Sequence, residues 1–215
     1  MIKEFAVHQM VPISIFETVV PIKPEWIRYA ETCDYERVQA DNGFMTKSKY
    51  VLHDLPDCEK MIHEQFDAFM RQYFTVKKNI NFGFQNSWIN KHEYLDSTHD
   101  HSHVNSLFSG VLYLKTDNQS GDISFKVPPY DNPVTKGFQL EFEEWNMHNS
   151  CDYSITPKLG SLLIFPSYLV HGVSENKSPF LRYSLAFNLH FKDAEWGKGE
   201  GVVKMNAWQE DIEVI

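Results

Sequence analysis

The sequence predicts a mainly β fold, a β-sandwich or jelly roll, buttressed by helices near the amino terminus. Two observations predict it. Helical periodicity is confined to the first third of the chain, and from Asn79 onward apolar residues recur at a period of two. Gly, Pro, Asn and Ser separate these short runs, as turns between strands require. Helices followed by a closely spaced series of strands are typical of a two-layer β fold with helical support.

The first third contains one predicted strand and two predicted helices. Alternation over residues 11–20 favours a strand, and Pro24 indicates the start of a helix with Trp26 and Ala30 on one face. Over residues 56–76, Phe and Met recur at helical spacing, with acidic residues early and basic residues late, as the helix dipole favours. This second helix is the more strongly marked of the two.

The remainder of the chain predicts short strands and one long polar connection. The polar stretch between Thr116 and Thr156 predicts loops and one hairpin at the mouth of the barrel, and its acidic and aromatic run at residues 141–145 could contact a substrate or a partner. We expect residues 1–215 to form a single domain, in which residues 1–78 supply the supporting elements and residues 79–215 the β core. The predicted strands lie at residues 80–84, 87–90, 109–114, 122–127, 161–165, 169–173 and 182–191.

Composition limits the class of protein. The chain has 215 residues, 42% of them hydrophobic, and no apolar run long enough to cross a bilayer, so we expect a globular protein without a membrane partner. Nothing in the sequence marks a secretion leader, so the cytoplasm is the expected location. A net charge of -9 without a concentration of Lys and Arg argues against nucleic-acid binding. Cys33, Cys58 and Cys151 are too few and too widely spaced for a disulfide framework.

A cluster of histidines gives the clearest functional signal. His99, His101 and His103 occupy alternate positions, so their side chains point to one face of an extended segment. A further imidazole from a distant strand, His171, would complete a facial set of ligands and leave the opposite positions open, as in non-haem iron oxygenases. His171 lies among apolar residues, so its buried ring needs a partner, either a metal or a backbone carbonyl.

The choice of ligands within this cluster has alternatives. The preferred pair is His101 with His103, and His99 is a second candidate. Asp100 is an alternative carboxylate ligand, but alternation turns it away from the face of His101 unless the strand breaks there.

Arg182 opens the last predicted strand and is the candidate anion-binding residue. Alternation places Arg182, Ser184 and Ala186 on one face of that strand. A guanidinium facing the barrel interior needs an anion, and a dicarboxylic acid whose other end chelates the metal would satisfy it, with the Ser184 hydroxyl assisting. The alternative is a surface ion pair with Glu175.

The chain resembles the 2-oxoglutarate- and iron-dependent oxygenases related to prolyl hydroxylases. These enzymes have the double-stranded β-helix fold, a cupin-like jelly roll. The resemblance implies that His101, His103 and His171 bind iron and that Arg182, with Ser184 nearby, binds the co-substrate carboxylate. Tyr113, on the strand after the first ligands, is a candidate hydrogen-bond donor to the co-substrate, and the alternative is a buried tyrosine whose hydroxyl bonds to the backbone. The resembling segments are residues 88–90, 101–114, 121–125, 160–171 and 182–188.

The chain departs from the commoner pattern of this family at two positions. The residue two after the first histidine is usually an aspartate or glutamate, and here it is His103. A neutral imidazole in place of a carboxylate leaves the metal centre one charge more positive, although imidazole suits iron as well as zinc, copper and nickel. The family's glycine ahead of the motif is Leu95 in this chain.

The resemblance implies an oxidoreductase, a dioxygenase that uses Fe(II), 2-oxoglutarate and O2. Such an enzyme releases succinate and CO2 and hydroxylates a C–H bond of a small-molecule or peptide substrate, whose identity the sequence does not give. One alternative is a three-histidine dioxygenase of the cupin type that does not use 2-oxoglutarate; His103 favours it and Arg182 disfavours it. Another is a non-catalytic jelly-roll binding module. Exposed β edges of this architecture are compatible with a homodimer.

Overall fold

A computed structural model of the chain shows two antiparallel sheets and two α-helices in the residues that it describes. The structure describes residues 13–38, 42–77, 80–103, 105–126, 143–144, 150 and 152–192. The order of elements confirms the predicted fold class, mainly β with helices near the amino terminus. No helix in the described ranges is long and apolar enough to span a bilayer.

The amino-terminal elements support the larger sheet. Both predicted helices are present, and Trp26 and Ala30 of α1 are buried as their spacing predicts. The predicted strand at residues 11–20 is shorter in the structure, and its first two positions lie outside the described residues. Two short strands after α1 were not predicted. The elements are β1 (Phe16–Val19), α1 (Pro24–Thr32), β2 (Tyr35–Val38), β3 (Gly43–Thr46), a 3-10 turn (Val51–Asp54) and α2 (Pro56–Tyr73).

The β core follows without another helix in the described residues. The two strands predicted at residues 80–84 and 87–90 form one continuous strand, β4. It pairs along its length with the last strand, across an irregularity between Asn188 and Leu189. The strands are β4 (Asn81–His92), β5 (Thr98–His101), β6 (Phe108–Lys115), β7 (Ile123–Lys126), β8 (Asp152–Ile155), β9 (Ser161–Pro166), β10 (His171–Val173) and β11 (Arg182–Lys192).

The strands divide into a larger and a smaller sheet. The larger has seven strands in the order β1-β9-β6-β11-β4-β3-β2, and the smaller has four in the order β5-β10-β7-β8. β7 and β8 pair antiparallel, but residues 127–142, 145–149 and 151 between them lie outside the described part of the chain. The predicted acidic and aromatic run at residues 141–145 is therefore described only at Glu143 and Glu144.

The two faces of the larger sheet pack against different partners. On β6, Leu112 and Leu114 belong to the cluster that includes the helices, and Val111 and Tyr113 belong to a second cluster with residues of β7. Phe66 of α2 is fully buried in the first cluster, and burial of a side chain of this size stabilises the fold by about 1.5–3 kcal/mol. The second cluster fills the space between the sheets and leaves a cavity, described next.

Candidate metal centre and anion site

Three imidazoles converge between the sheets. His101 ends β5 and His171 begins β10, and the two residues face each other in the antiparallel pair. Their ring centroids are 4.4 Å apart, and the ring of His103 lies 5.0 Å from His101 and 5.4 Å from His171. One nitrogen from each ring lies within 4.8 Å of the others, so these residues could hold one metal ion.

Backbone carbonyls fix the tautomers of two of these rings. His101 Nδ1 lies 2.9 Å from the His99 carbonyl, and His171 Nδ1 lies 2.9 Å from the Leu169 carbonyl. A carbonyl only accepts, so each Nδ1 carries the proton and each Nε2 keeps its lone pair. The carbonyl partner that we considered for His171 as the alternative to a metal is therefore present, and the same bond prepares its Nε2 for a metal.

Two of the three imidazoles, His103 and His171, are held in the neutral form. Burial, followed by the nearby His101, lowers the pKa of His103 to about 4. Burial is also the largest cause of the low pKa of His171, about 3, against the opposing effect of its bond to Leu169. Since a metal binds the unprotonated ring, both residues are in the ligand form at neutral pH.

The two alternative ligands lie outside the cluster. His99 is exposed, and its ring centroid is 5.5 Å from that of His101, at the edge of the same cavity. Asp100 is exposed as well, and its Oδ2 lies 3.4 Å from Lys126 Nζ. Alternation along β5 thus turns Asp100 away from His101, as its position in the sequence predicts.

Arg182 is buried, with only 1% of its surface exposed. Its guanidinium carbon lies 5.0 Å from the centroid of the Tyr113 ring, and its Nη1 lies 3.4 Å from the Ser120 carbonyl. Its Nε has no hydrogen-bond partner, and no ion pair of this residue is found in the described part of the chain. Burial lowers the pKa of the guanidinium, which still stays charged at physiological pH. Arg182 is therefore not a surface residue, and the alternative of a surface ion pair with Glu175 is wrong.

The anion candidates and the imidazoles share one cavity of about 300 Å³. Arg182, Ser184 and Ala186 line it from β11, as their alternation predicts, and Tyr113 lines it from β6. The Tyr113 hydroxyl is buried without a hydrogen-bond partner among the described residues. An unsatisfied buried polar atom destabilises by about 1–3 kcal/mol, so two of them in one cavity indicate a place for a ligand.

Sequence reasoning missed a row of cavity residues on β4. Trp88, Asn90 and His92 alternate along this strand and line the cavity. Trp88 Nε1 donates to Asn90 Oδ1 at 3.1 Å, and His92 faces Arg182 in the β4–β11 register. The alternation of residues 87–92 could have predicted this row. The strand predicted from the sequence covered only residues 87–90 and so ended before His92.

Leu95 has a backbone conformation that suits glycine. It lies in the turn between β4 and β5 with φ of 66°. This is the position where the resembling family has glycine, so the turn keeps the glycine geometry although the residue has changed. A leucine there is strained, since its Cβ crowds the backbone at positive φ.

Fold and site together define a double-stranded β-helix protein with a cluster of three imidazoles that could hold a metal ion. Residues 86–188 match the model of the family described as "Putative 2OG-Fe(II) oxygenase". This range contains the three clustered histidines together with Tyr113, Arg182 and Ser184. Residues 86–188 are therefore a 2-oxoglutarate- and Fe(II)-dependent oxygenase domain, the domain of non-haem iron enzymes that use Fe(II), 2-oxoglutarate and O2.

Solved structures with low sequence identity share the fold. A prolyl-4-hydroxylase from Pseudomonas putida is 13% identical with a TM-score of 0.51, covering 81% of this chain and 91% of that one. HygX from Streptomyces hygroscopicus, with nickel and 2-oxoglutarate bound, is 11% identical with a TM-score of 0.53, covering 77% and 76%. An oxidoreductase of the 2OG-Fe(II) oxygenase family from Burkholderia pseudomallei is 13% identical with a TM-score of 0.51, covering 77% and 75%. No curated protein matches this sequence.

Proposed function

We propose that this protein is a single-domain dioxygenase that hydroxylates a C–H bond of a small-molecule or peptide substrate, with conversion of 2-oxoglutarate to succinate and CO2. One observation carries the proposal. The three imidazoles and the buried guanidinium of Arg182 line the same cavity of about 300 Å³ between the sheets. Such an arrangement suits a ligand that chelates a metal at one end and carries a carboxylate at the other.

The donor set fits iron. His101, His103 and His171 would hold the ion, and the bonds from Nδ1 of His101 and His171 to backbone carbonyls orient their rings toward it. Three nitrogen donors from the protein would leave the ion able to bind a further ligand such as the co-substrate. Bound there, iron supplies the redox chemistry with O2 that defines this family.

The opposite part of the cavity fits a carboxylate. Arg182 would donate from its unpaired Nε and from its terminal nitrogens, and the unpartnered Tyr113 hydroxyl would donate beside it. Ser184 neighbours both residues, since it follows Arg182 by two positions on β11 and pairs with Tyr113 of β6 in the strand register. Charge-assisted bonds of this kind are stronger than neutral ones and fix the orientation of the bound acid.

The walls between these two ends are apolar. Val111, Phe165 and Ala186 line the cavity, and Phe165 packs against His171 with ring centroids 4.7 Å apart. Apolar walls keep water from the reacting groups and strengthen the electrostatic interactions within the site. The residues would thus bind, orient and protect the co-substrate while the metal provides the oxidation.

One structure of the same fold supports hydroxylation as the type of reaction. The Pseudomonas putida structure is a prolyl-4-hydroxylase. HygX, crystallised with nickel and 2-oxoglutarate, supports the co-substrate. Both are similar in fold alone, so neither indicates the substrate.

His103 favours a second candidate, a three-histidine dioxygenase that binds its organic substrate directly to the metal without 2-oxoglutarate. Such an enzyme has no use for a buried cation with an unpaired Nε at the far end of the cavity, and Arg182 therefore argues for the first function. The two functions differ in one product, succinate.

The test is reconstitution of purified protein with Fe(II) and 2-oxoglutarate in air, with succinate as the readout. We expect succinate only when protein, Fe(II) and 2-oxoglutarate are all present, and none from H101A or H171A. H53A is the matched control, because His53 lies exposed on the 3-10 turn. Metal binding without succinate formation, and without any stabilisation by 2-oxoglutarate, would overturn the proposal in favour of the second candidate.

A further inference from the structure

His92 lines the cavity beside Arg182. It is the last residue of β4, is 3% exposed, and faces Arg182 across the β4–β11 pair. Its Nδ1 lies 3.5 Å from Arg182 Nη1, and its Nε2 lies 3.2 Å from Thr98 Oγ1. One imidazole thus connects the candidate anion-binding residue with the first residue of β5, the strand that ends in His101.

These two partners determine which tautomer the His92 ring adopts. A guanidinium only donates hydrogen bonds, so Nδ1 of His92 must accept from Arg182. The proton of the neutral ring is then on Nε2 and points at the Thr98 hydroxyl. His92 therefore holds the guanidinium without neutralising it, whereas a carboxylate at this position would compete with the carboxylate of a ligand.

The space around the ring supports a specific role. A Cβ on Gly43, at the start of β3, would lie 2.7 Å from His92 Cδ2. That approach is closer than real contacts allow, so only a glycine at position 43 lets the imidazole stand beside Arg182. β3 provides the space that the His92 ring on β4 needs in this orientation.

The guanidinium has two other contacts among the described residues, and neither comes from the strand that pairs with Arg182 at His92. The Ser120 carbonyl is 3.4 Å from Nη1, and the Tyr113 ring lies 5.0 Å from the guanidinium carbon. Ser120 precedes the turn at Gly121, and Tyr113 turns its ring face toward the cation. His92 lies opposite Arg182 on the paired strand, so its ring nitrogen can fix the plane of the guanidinium.

We propose that His92 is a positioning residue, which orients Arg182 for the co-substrate carboxylate and so determines the affinity for 2-oxoglutarate. This inference rests on the proposed function. It predicts a separation of effects, because His92 acts on Arg182 at one end of the co-substrate and is not one of the three residues that would hold the metal. Affinity for 2-oxoglutarate should fall when the acceptor at Nδ1 is lost, and affinity for Fe(II) should not.

The test compares H92L, H92N and G43A with the wild type. Binding of 2-oxoglutarate is measured by calorimetry in the absence of O2 with Fe(II) present, and succinate formation gives KM and kcat. Leucine removes the acceptor, asparagine keeps an oxygen at the δ position, and G43A displaces an intact imidazole. We expect the Kd of H92L for 2-oxoglutarate to rise about tenfold or more, with kcat changed less than about twofold. H92N should recover most of the affinity, and G43A should weaken binding in the same direction.

The outcomes separate the two proposals. If the wild type does not bind 2-oxoglutarate, the proposed function is wrong and the role of His92 falls with it. If the wild type binds and H92L binds equally well, or H92N is no better than H92L, only the role of His92 is wrong. Should H92L not fold, the comparison of H92N and G43A with the wild type decides, since G43A leaves every hydrogen-bonding group in place. Unchanged binding in G43A would then contradict the inference.

Discussion

His101 and His171 face each other across the β5–β10 pair, with ring centroids 4.4 Å apart, although they are far apart in sequence. Each also donates from Nδ1 to a carbonyl two residues earlier in the chain. The register of one short strand pair and two local bonds therefore direct both Nε2 atoms to a common point. His103 approaches from just beyond the end of β5.

Removal of one imidazole should weaken metal binding strongly. We expect H171A to lose Fe(II) affinity by about tenfold to a hundredfold or more, because even residues that only support a metal ligand have effects of this size. The measurement is Fe(II) titration of metal-free protein. H53A, which changes an exposed histidine, should bind as the wild type does. Undiminished iron affinity in H171A would show that the ion, if bound, lies elsewhere.

Replacement of Arg182 should act on the co-substrate alone. R182Q keeps most of the side-chain volume but removes the charge, and we expect the KM for 2-oxoglutarate to rise about thirtyfold or more, as for a lost partner of a buried charge pair. Steady-state succinate formation measures it. R28Q is the control, since Arg28 is exposed on α1. An unchanged KM in R182Q would contradict the anion-site assignment.

Removal of the Tyr113 hydroxyl should separate stability from binding. Without ligand this hydroxyl is buried and unpartnered, so Y113F should be as stable as the wild type or more stable by about 1–3 kcal/mol. Binding of 2-oxoglutarate should nevertheless weaken by about tenfold, since a bond to a charged group is lost. Urea unfolding and calorimetry are the two measurements. Y73F, which changes an exposed tyrosine of α2, should alter neither. Loss of stability in Y113F without ligand would show that its hydroxyl has a partner in the protein.

Glycine at position 95 should stabilise the protein. Leu95 has φ of 66° and is 46% exposed, so L95G relieves backbone strain while it removes little buried surface. We expect a gain of about 1 kcal/mol in the free energy of unfolding, measured with urea. The neighbouring Tyr94 is also exposed but does not have positive φ, so Y94G should be neutral or destabilising through its backbone entropy. Equal effects of the two changes would contradict the strain at Leu95.

The sequence was informative wherever a local period or motif decides the structure. The long amphipathic α2 and the alternation of Arg182, Ser184 and Ala186 are features of this kind, and the structure has both. β2 and β3 were missed because they have four residues each and no clean alternation of buried and exposed positions. For β8 the reason is the same, since its first three residues are all exposed.

Tertiary register decides the rest. His92 and Arg182 are opposite each other only because β4 and β11 pair over their whole length, and no motif marks that relation. The approach of Gly43 to His92 depends on a third strand. At Leu95 only the resemblance to the family indicated a turn with glycine geometry, because leucine is not a residue that favours positive φ.

The imidazole cluster draws two of its members from the smaller sheet, and Arg182 with Tyr113 belongs to the larger one. A metal chelated by an acid that reaches Arg182 would therefore link the two sheets. Among the described residues, β5 is an edge strand of its sheet and pairs with β10 alone in that sheet. Loading of both ligands should slow amide hydrogen exchange along β5, and the two layers should then open as one cooperative unit.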